Sequence, residues 1–151
     1  AVDAAKILKD KGIKFKWYAV GEGPLRPQLE KQIDNLKLQD DFILLGAKAN
    51  PYPYMKACDV YVQTSRFEGF CLTLTEARIL NKPCVTTEFE CVYNQMIQEK
   101  NGLVVEMNAQ SIADGILKMI NDDTLRNSIV KYVRNEKKGN VEEIEKIYQL
   151  L

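Results

Sequence analysis

The chain has 151 residues, 46% of them hydrophobic and 28% charged, a composition that fits one domain with a single sizeable core. Its 21 basic and 21 acidic residues leave no net charge, so no global field recruits nucleic acid or an anionic membrane, and any anion site must be local. The absence of histidine excludes Ser-His-Asp, Cys-His and His-ligated metal mechanisms within the chain, which leaves carboxylates and backbone amides.

Helical and strand patterns alternate along the chain as far as residue 121. In chain order the predicted elements are a helix at 2–11, a strand at 14–20, a helix at 24–37, a strand at 42–45, a short helix at 52–57, a strand at 59–64, a helix at 72–80, a strand at 83–87, a helical turn near 92–98, a strand at 102–105 and a helix at 109–121. This alternation predicts an α/β, Rossmann-like fold with a mainly parallel sheet and helices on both faces.

Two more predicted helices, at about 122–136 and 140–150, follow without strands. They carry a basic run, which we interpret as a solvated helix face rather than a lipid or nucleic-acid patch. The run comprises Lys131, Arg134, Lys137 and Lys138.

A glycine-containing turn, residues 21–24, follows the first predicted strand and opens the next helix, with Pro24 expected in its first turn. The amides of Gly21 and Gly23 can therefore approach a phosphate or a ribose closely. As a dinucleotide fingerprint the turn is incomplete, because Arg26 stands where G-x-G-x-x-G needs its third glycine. An ordinary tight turn is the alternative.

Near the middle of the chain, Glu68 follows the strand at 59–64 on a loop, and Glu76 lies on the next helix. In an open α/β sheet, ligands bind at the carboxyl ends of the strands, where this loop would lie. Carboxylates accept strong hydrogen bonds from sugar hydroxyls, and the free amides at the helix start, around residues 71–73, attract an anion such as a diphosphate. The layout predicts a pocket for a nucleotide-linked sugar. The alternative is two ordinary solvated glutamates.

The helix carrying Glu76 has a predicted buried stripe, and Pro83 follows its end. The stripe consists of Leu72, Leu74, Ala77, Ile79 and Leu80.

The four cysteines lack C-x-x-C spacing and lie in apolar or strand contexts, so the sequence predicts neither a metal nor a disulfide framework. They are Cys58, Cys71, Cys84 and Cys91. A reducing cytoplasm is the simplest compartment for them. We find no secretory signal and no apolar stretch long enough to span a bilayer, and we expect a soluble domain.

Several segments together carry a family resemblance over almost the whole chain. They are Ser65-Arg66-Phe67-Glu68-Gly69-Phe70 followed by Leu72-Thr73-Leu74-Thr75-Glu76-Ala77, Val20-Gly21-Glu22-Gly23-Pro24-Leu25, Phe42-Ile43-Leu44-Leu45-Gly46, Asn50-Pro51-Tyr52-Pro53-Tyr54-Met55, Ala57-Cys58-Asp59-Val60, Lys82-Pro83-Cys84-Val85-Thr86-Thr87 and Asn101-Gly102-Leu103-Val104-Val105. The chain resembles the carboxyl-terminal, donor-binding domain of the retaining family 4 glycosyltransferases of GT-B fold, also called glycosyl transferases group 1. The resemblance implies one half of a GT-B fold.

The resemblance also implies roles for individual residues. Glu76 would bind the ribose hydroxyls, and Glu68 would bind the transferred sugar and stabilise an oxocarbenium-like transition state. The donor would be a UDP- or GDP-sugar, without a metal or other cofactor. The remaining donor-binding positions are the segment of Gly69, Phe70, Cys71, Leu72 and Thr73 for the diphosphate, the glycines Gly21 and Gly23 beside it, and Lys48 and Pro51 in the nucleobase loop. The alternative for that loop is a purely structural role, with Tyr52 or Tyr54 packing against the sheet.

Two departures from the family pattern stand close to this site. Cys71 occupies a position where many relatives have glycine. The loop at 88–95, which resembles that of capsule-type members with Gln95 at its polar position, would touch donor or acceptor.

The resemblance further implies a domain spanning 1–151 that is truncated at its amino terminus. In relatives, a preceding strand and loop supply an arginine and a lysine for the diphosphate, and a separate domain binds the glycan or glycolipid acceptor. We therefore expect the isolated domain to be inactive. The full-length protein would be cytoplasmic, with peripheral contact at the inner face of the membrane as a further expectation and no nucleic-acid partner.

Two other function classes remain open at this stage. A non-enzymatic module could use the same fold to bind a nucleotide or a partner, and a nicotinamide-dependent oxidoreductase would need cofactor binding that is insensitive to loss of Glu76. Hydrolytic glycosidase chemistry also uses paired carboxylates, but here one of them is assigned to a ribose.

Overall fold

The computed structural model describes residues 1–136. The predicted helix at 140–150 and the basic residues Lys137 and Lys138 lie outside them. The helices are α1 (Val2–Asp10), α2 (Arg26–Asn35), α3 (Tyr52–Ala57), α4 (Leu72–Ile79), α5 (Ala109–Asn121) and α6 (Asp123–Asn135), and the strands are β1 (Trp17–Val20), β2 (Phe42–Gly46), β3 (Tyr61–Gln63), β4 (Cys84–Thr87) and β5 (Leu103–Val105). The predicted turn near 92–98 is a 3₁₀ helix at Val92–Asn94. The α/β, Rossmann-like fold is confirmed.

All strand pairs of the described residues are parallel, but they form two hydrogen-bonded groups rather than one sheet. One group pairs β1 with β2, and the other runs in the order β3-β4-β5. Trp17 of β1 and Val62 of β3 pack against the same apolar cluster. Packing therefore joins the two groups where no backbone ladder does.

Strands β4 and β5 send alternate side chains to two opposite clusters, as the pleat of a strand requires. Val85 and Leu103 join the cluster formed with α1, α5 and α6. Cys84 and Val104 join the cluster formed with α3, α4 and the segment around Val92. Both faces of this sheet are therefore covered, and β4 is buried along its whole length.

Side-chain caps fix the starts of the two helices α5 and α6. Asn108 accepts a hydrogen bond from the Ser111 amide at the start of α5, and Asp122 does the same for Leu125 at the start of α6, at 2.8 Å in both cases. The helix α2 begins at Arg26, so Pro24 lies in the preceding turn rather than in the first helical turn as predicted.

The buried stripe predicted for α4 is only partly correct. Leu74 and Ala77 are fully buried, but Leu72 is 66% exposed and Ile79 is 47% exposed. Leu72 is the first residue of the helix, and its side chain faces solvent rather than the core. Among residues 1–136, no helix is both long and apolar enough to cross a bilayer.

Candidate functional site

Glu68 lies on the loop between β3 and α4, and two side chains at the carboxyl end of β3 hold its carboxylate. The Ser65 hydroxyl donates to Glu68 Oε1 at 2.7 Å, and Gln63 Nε2 donates to the same oxygen at 3.3 Å. Gln63 Nε2 also donates to Ser65 Oγ at 2.6 Å, which orients the serine hydroxyl toward the glutamate. Glu68 is thus a fixed, half-buried carboxylate and not a freely solvated one.

The carboxamide of Gln63 connects Glu68 to the sheet interior and to α4. Its Oε1 accepts a hydrogen bond from the Tyr61 hydroxyl at 2.6 Å and from the Thr73 hydroxyl at 3.4 Å. Burial raises the pKa of Tyr61, so its hydroxyl stays protonated and remains a donor. From β4, Thr87 donates to the Ser65 carbonyl at 2.6 Å. Side chains from two strands and one helix therefore set the position of Glu68.

An open hollow of about 320 Å³ lies beside this carboxylate. Its lining residues are Phe67, Glu68, Gly69 and Glu90. Phe67 is 92% exposed and Phe70 is 61% exposed, so the loop presents apolar rings to solvent next to the carboxylates. This combination of a hollow, a fixed anion and aromatic faces suits a polar ligand with apolar surfaces, such as a sugar.

Glu76 lies on the second turn of α4, and its partner comes from α3. The Tyr52 hydroxyl donates to Glu76 Oε1 at 3.0 Å. Pro51 is the N-cap of α3, and the Asn50 side chain accepts a hydrogen bond from the Tyr52 amide at 3.1 Å. The structure thereby brings the predicted nucleobase loop at Pro51 next to the predicted ribose ligand Glu76.

The start of α4 is held from the opposite side by Gln95. With its carboxamide oriented to satisfy its neighbours, Gln95 Oε1 accepts from the Cys71 amide at 2.9 Å, and Nε2 donates to the Cys71 carbonyl and to Thr75 Oγ1, both at 3.1 Å. Of the amides predicted to bind a diphosphate, that of Cys71 therefore already has a partner. The amides of Leu72 and Thr73 are the first of the helix and have no intrahelical acceptor. Gln95, expected on a ligand-touching loop, is buried instead.

The other predicted positions lie at the ends of β1 and β2. The Gly21 amide donates to the Gly46 carbonyl at 3.0 Å, and both glycines have positive φ, 139° and 75°. With φ of 75°, Gly46 adopts a left-handed conformation that favours glycine. Gly23 and Lys48 are exposed on the adjoining loops.

Sequence reasoning missed the contacts of two residues that hold the glutamates, Gln63 and Tyr52, and the contact by which Gln95 holds Cys71. Gln63 carried a signal, since it is a polar side chain at the carboxyl end of a buried strand. The contacts of Tyr52 with Glu76 and of Gln95 with Cys71 had no signal in the sequence, because they join segments that are far apart in the chain.

The comparisons with known proteins agree on one family. A family model described as glycosyl transferases group 1 matches residues 1–136. The chain is 32% identical over 135 residues to the N-acetylgalactosamine-N,N'-diacetylbacillosaminyl-diphospho-undecaprenol 4-alpha-N-acetylgalactosaminyltransferase of Campylobacter jejuni, which covers 88% of this chain and 36% of that protein. It is 31% identical over 121 residues to the poly(ribitol-phosphate) alpha-N-acetylglucosaminyltransferase of Staphylococcus aureus, which covers 79% of this chain and 24% of that protein.

A solved structure shows the same fold. A mutant of TarM from S. aureus, crystallised in complex with Fondaparinux, alpha-GlcNAc-glycerol and UDP, superposes with a TM-score of 0.87 at 27% identity. That superposition covers 99% of this chain and 31% of TarM. The chain thus spans little more than a third, at most, of the length of these relatives.

Proposed function

This chain belongs to the glycosyl transferases group 1 family, and we propose that it is the donor-binding domain of a retaining, metal-independent glycosyltransferase. The donor is a nucleotide diphosphate sugar. A UDP-sugar is favoured over a GDP-sugar, because the TarM crystal contains UDP. The acceptor is a polysaccharide or a glycolipid, in keeping with the acceptors in the names of the two relatives, and its site lies outside this chain. We place the whole enzyme in the cytoplasm, at the inner face of the membrane.

The observation that carries this proposal is the fixed carboxylate of Glu68 beside the open hollow. Both hydrogen bonds that hold it within residues 1–136 reach Oε1, which leaves Oε2 to accept from hydroxyls of the transferred sugar. As the bond to the leaving diphosphate breaks, positive charge develops on the sugar ring. A carboxylate already held in place stabilises that charge without reorganising, which is the main advantage of a preorganised site.

The leaving diphosphate would lie at the start of α4. The amides of Leu72 and Thr73 point out of the first helical turn, and the helix dipole favours an anion there. The preceding amides of Gly69 and Phe70 extend the same segment. Cys71 contributes by holding this segment against Gln95, and not by donating its own amide.

The nucleoside would lie between α3 and α4. Glu76 accepts from the ribose, while Lys48 and Pro51 border the base on the loop that leads into α3. Gly21 and Gly23 close the side formed by the ends of β1 and β2, where the absence of side chains lets a ligand approach the backbone.

Isothermal titration calorimetry of the chain with UDP, GDP, ADP and their sugar conjugates tests this proposal. We expect selective binding of one nucleotide, and a loss of about tenfold or more in affinity in Glu76→Gln, since hydrogen bonds to charged groups contribute about 1.5–3 kcal/mol. Asp10→Asn is the matched control, because Asp10 is an exposed carboxylate on α1 whose ion pair within residues 1–136 is with Lys6, away from the proposed site.

Equal affinities in the two variants would remove the ribose role of Glu76. If the chain bound none of the nucleotides, the donor-domain proposal would be wrong, and a non-enzymatic module that binds a protein partner would be favoured. Binding of reduced nicotinamide cofactor without any effect of Glu76→Gln would favour an oxidoreductase.

A further inference from the structure

The hydrogen bond between Tyr52 and Glu76 joins the two segments that flank the nucleoside position. Its 3.0 Å length places the phenol oxygen against one carboxylate oxygen, Oε1. The Asn50 side chain and the Pro51 cap fix the start of α3, so the backbone of Tyr52 is anchored. Both side chains still reach solvent, and Tyr52 is 46% exposed.

We propose that the Tyr52 hydroxyl and the Glu76 carboxylate form a two-acceptor site for the vicinal diol of a ribose, in which Tyr52 accepts from one hydroxyl and Glu76 from the other. This inference rests on the proposed function and adds to it a residue that selects ribonucleotides over deoxyribonucleotides.

The direction of the hydrogen bond makes Tyr52 an acceptor. A phenol has one proton to donate and lone pairs to accept with, and here the proton goes to Glu76. The hydrogen bond to this carboxylate raises the pKa of Tyr52, so the phenol keeps its proton. Its oxygen can then only accept from a ligand. Because Glu76 Oε2 is the second acceptor, the pair presents two neighbouring acceptors to a group with two neighbouring donors.

The neighbouring Tyr54 provides a matched control. It lies on the same short helix and is 41% exposed, close to the exposure of Tyr52. Within the part of the chain that the structure describes, its hydroxyl makes no hydrogen bond comparable to the one between Tyr52 and Glu76. Removing the Tyr54 hydroxyl therefore makes the same chemical change on the same element without altering the acceptor pair.

The test measures Kd for UDP, 2′-deoxy-UDP and 3′-deoxy-UDP with the unchanged chain, Tyr52→Phe and Tyr54→Phe. In the unchanged chain and in Tyr54→Phe, we expect each deoxynucleotide to bind about two- to tenfold more weakly than UDP, the contribution of one hydrogen bond. In Tyr52→Phe, the affinity for UDP should fall by a similar factor. The loss of affinity caused by removing one ribose hydroxyl should then disappear, while the loss caused by removing the other hydroxyl remains. If Tyr52 had a purely structural role, Tyr52→Phe would lower the affinity for all three nucleotides by the same factor.

The outcomes separate this inference from the proposed function. Suppose that UDP binds and that Glu76→Gln lowers its affinity, but that Tyr52→Phe still binds both deoxynucleotides more weakly than UDP. The Tyr52 role is then wrong, and the donor site stands. If the unchanged chain binds all three nucleotides equally, the ribose roles of Tyr52 and Glu76 are both wrong, although binding of UDP still supports a nucleotide site. If none of UDP, GDP and ADP binds, both proposals fail. Because the readout is a ratio of affinities within one variant, a small loss of folded protein does not change it.

Discussion

The side chain of Gln95 makes two hydrogen bonds to the backbone of Cys71, one to the amide at 2.9 Å and one from Nε2 to the carbonyl at 3.1 Å. Gln95 is buried, with 7% of its surface exposed, and Cys71 is the N-cap of α4. The carboxamide thus satisfies both polar groups of one backbone position, as a neighbouring strand would. This contact fixes the chain between Glu68 and Glu76.

Replacing Gln95 by leucine should loosen the segment that carries the site. The buried Cys71 amide would lose its partner, and the Cys71 carbonyl would keep the hydrogen bond from the Thr75 amide at 3.3 Å, so we expect the free energy of unfolding to fall by about 1–3 kcal/mol. The affinity for UDP should fall as well, because the amides of Leu72 and Thr73 are no longer held in place. Urea denaturation and calorimetry measure the two effects.

Gln98→Leu is the matched control for this change. Gln98 makes a similar pair of hydrogen bonds with Val104, accepting from its amide at 2.7 Å and donating to its carbonyl at 3.3 Å. Val104 lies on β5, which carries none of the proposed donor-binding residues. Gln98→Leu should therefore reduce stability without a specific effect on UDP affinity. Equal losses of affinity in both variants would contradict a local role for Gln95.

Glu68→Gln should slow sugar transfer far more than it weakens nucleotide binding. The change keeps the shape and removes the negative charge that would stabilise the transition state, and loss of one preorganised electrostatic group costs on the order of 100-fold in kcat. Ser65→Ala keeps the charge of Glu68 but removes the 2.7 Å hydrogen bond to it and the 2.6 Å hydrogen bond from Gln63, and it should cost about tenfold or less. The measurement is kcat and KM in a transfer assay of the protein that contains this chain.

Glu90→Gln is the control for Glu68, since Glu90 lines the same hollow but lies beyond β4 and outside the hydrogen-bond network of Gln63. We expect kcat close to that of the unchanged enzyme. A Glu90→Gln variant as slow as Glu68→Gln would mean that the total negative charge of the hollow, rather than the position of Glu68, controls the rate.

The fold could be predicted from the sequence because its strands are short β-branched runs separated by amphipathic helices. Each of these patterns is formed by residues that are close together in the chain. The burial of α4 could not be predicted in the same way, since Leu72 and Ile79 have the correct helical spacing but are 66% and 47% exposed. The pairing of strands was also beyond local reasoning, because it depends on which neighbours come together, and β1 and β3 do not pair within residues 1–136.

For the candidate site as well, local sequence patterns predicted some residues and tertiary contacts determined the others. Glu68 and Glu76 were found through the motif around them, in which the residues are adjacent in sequence. For Tyr52, 24 positions from Glu76, the sequence suggested only packing against the sheet, and its hydrogen bond with that carboxylate depends on the placement of α3 against α4. Such contacts follow from tertiary packing, which neither propensity nor spacing encodes.

Stability should fall at alkaline pH through Tyr61. Burial raises the pKa of this phenol above its ordinary value of 10.0, so the folded state holds the proton more tightly than the unfolded state does. The resulting contribution to stability is fully present below about pH 10 and is lost as the pH rises above it. Tyr61→Phe should flatten this dependence in urea denaturation series, whereas Tyr18→Phe, which alters a 55% exposed ring, should not.

The ion pair between Arg78 and Glu136 should contribute more to stability than the ion pairs on the surface. Arg78 Nε and Nη2 reach the two carboxylate oxygens at 3.1 and 2.9 Å, with side chains only 15% and 19% exposed, and Nη1 donates to the Gln95 carbonyl at 2.8 Å. Glu136→Gln leaves this arginine largely buried without its counter-charge, so we expect a loss of about 1–3 kcal/mol in urea denaturation.

The exposed pair of Lys118 and Glu99 is the comparison for this prediction, since its side chains are 49% and 50% exposed. Water and salt screen both charges there, and Glu99→Gln should change stability by no more than about 0.5 kcal/mol. Because Arg78 also holds the Gln95 carbonyl, Glu136→Gln should weaken UDP binding slightly, in the same direction as Gln95→Leu, whereas Glu99→Gln should not. Equal stability losses in the two variants would show that the partial burial of Arg78 adds nothing to its ion pair.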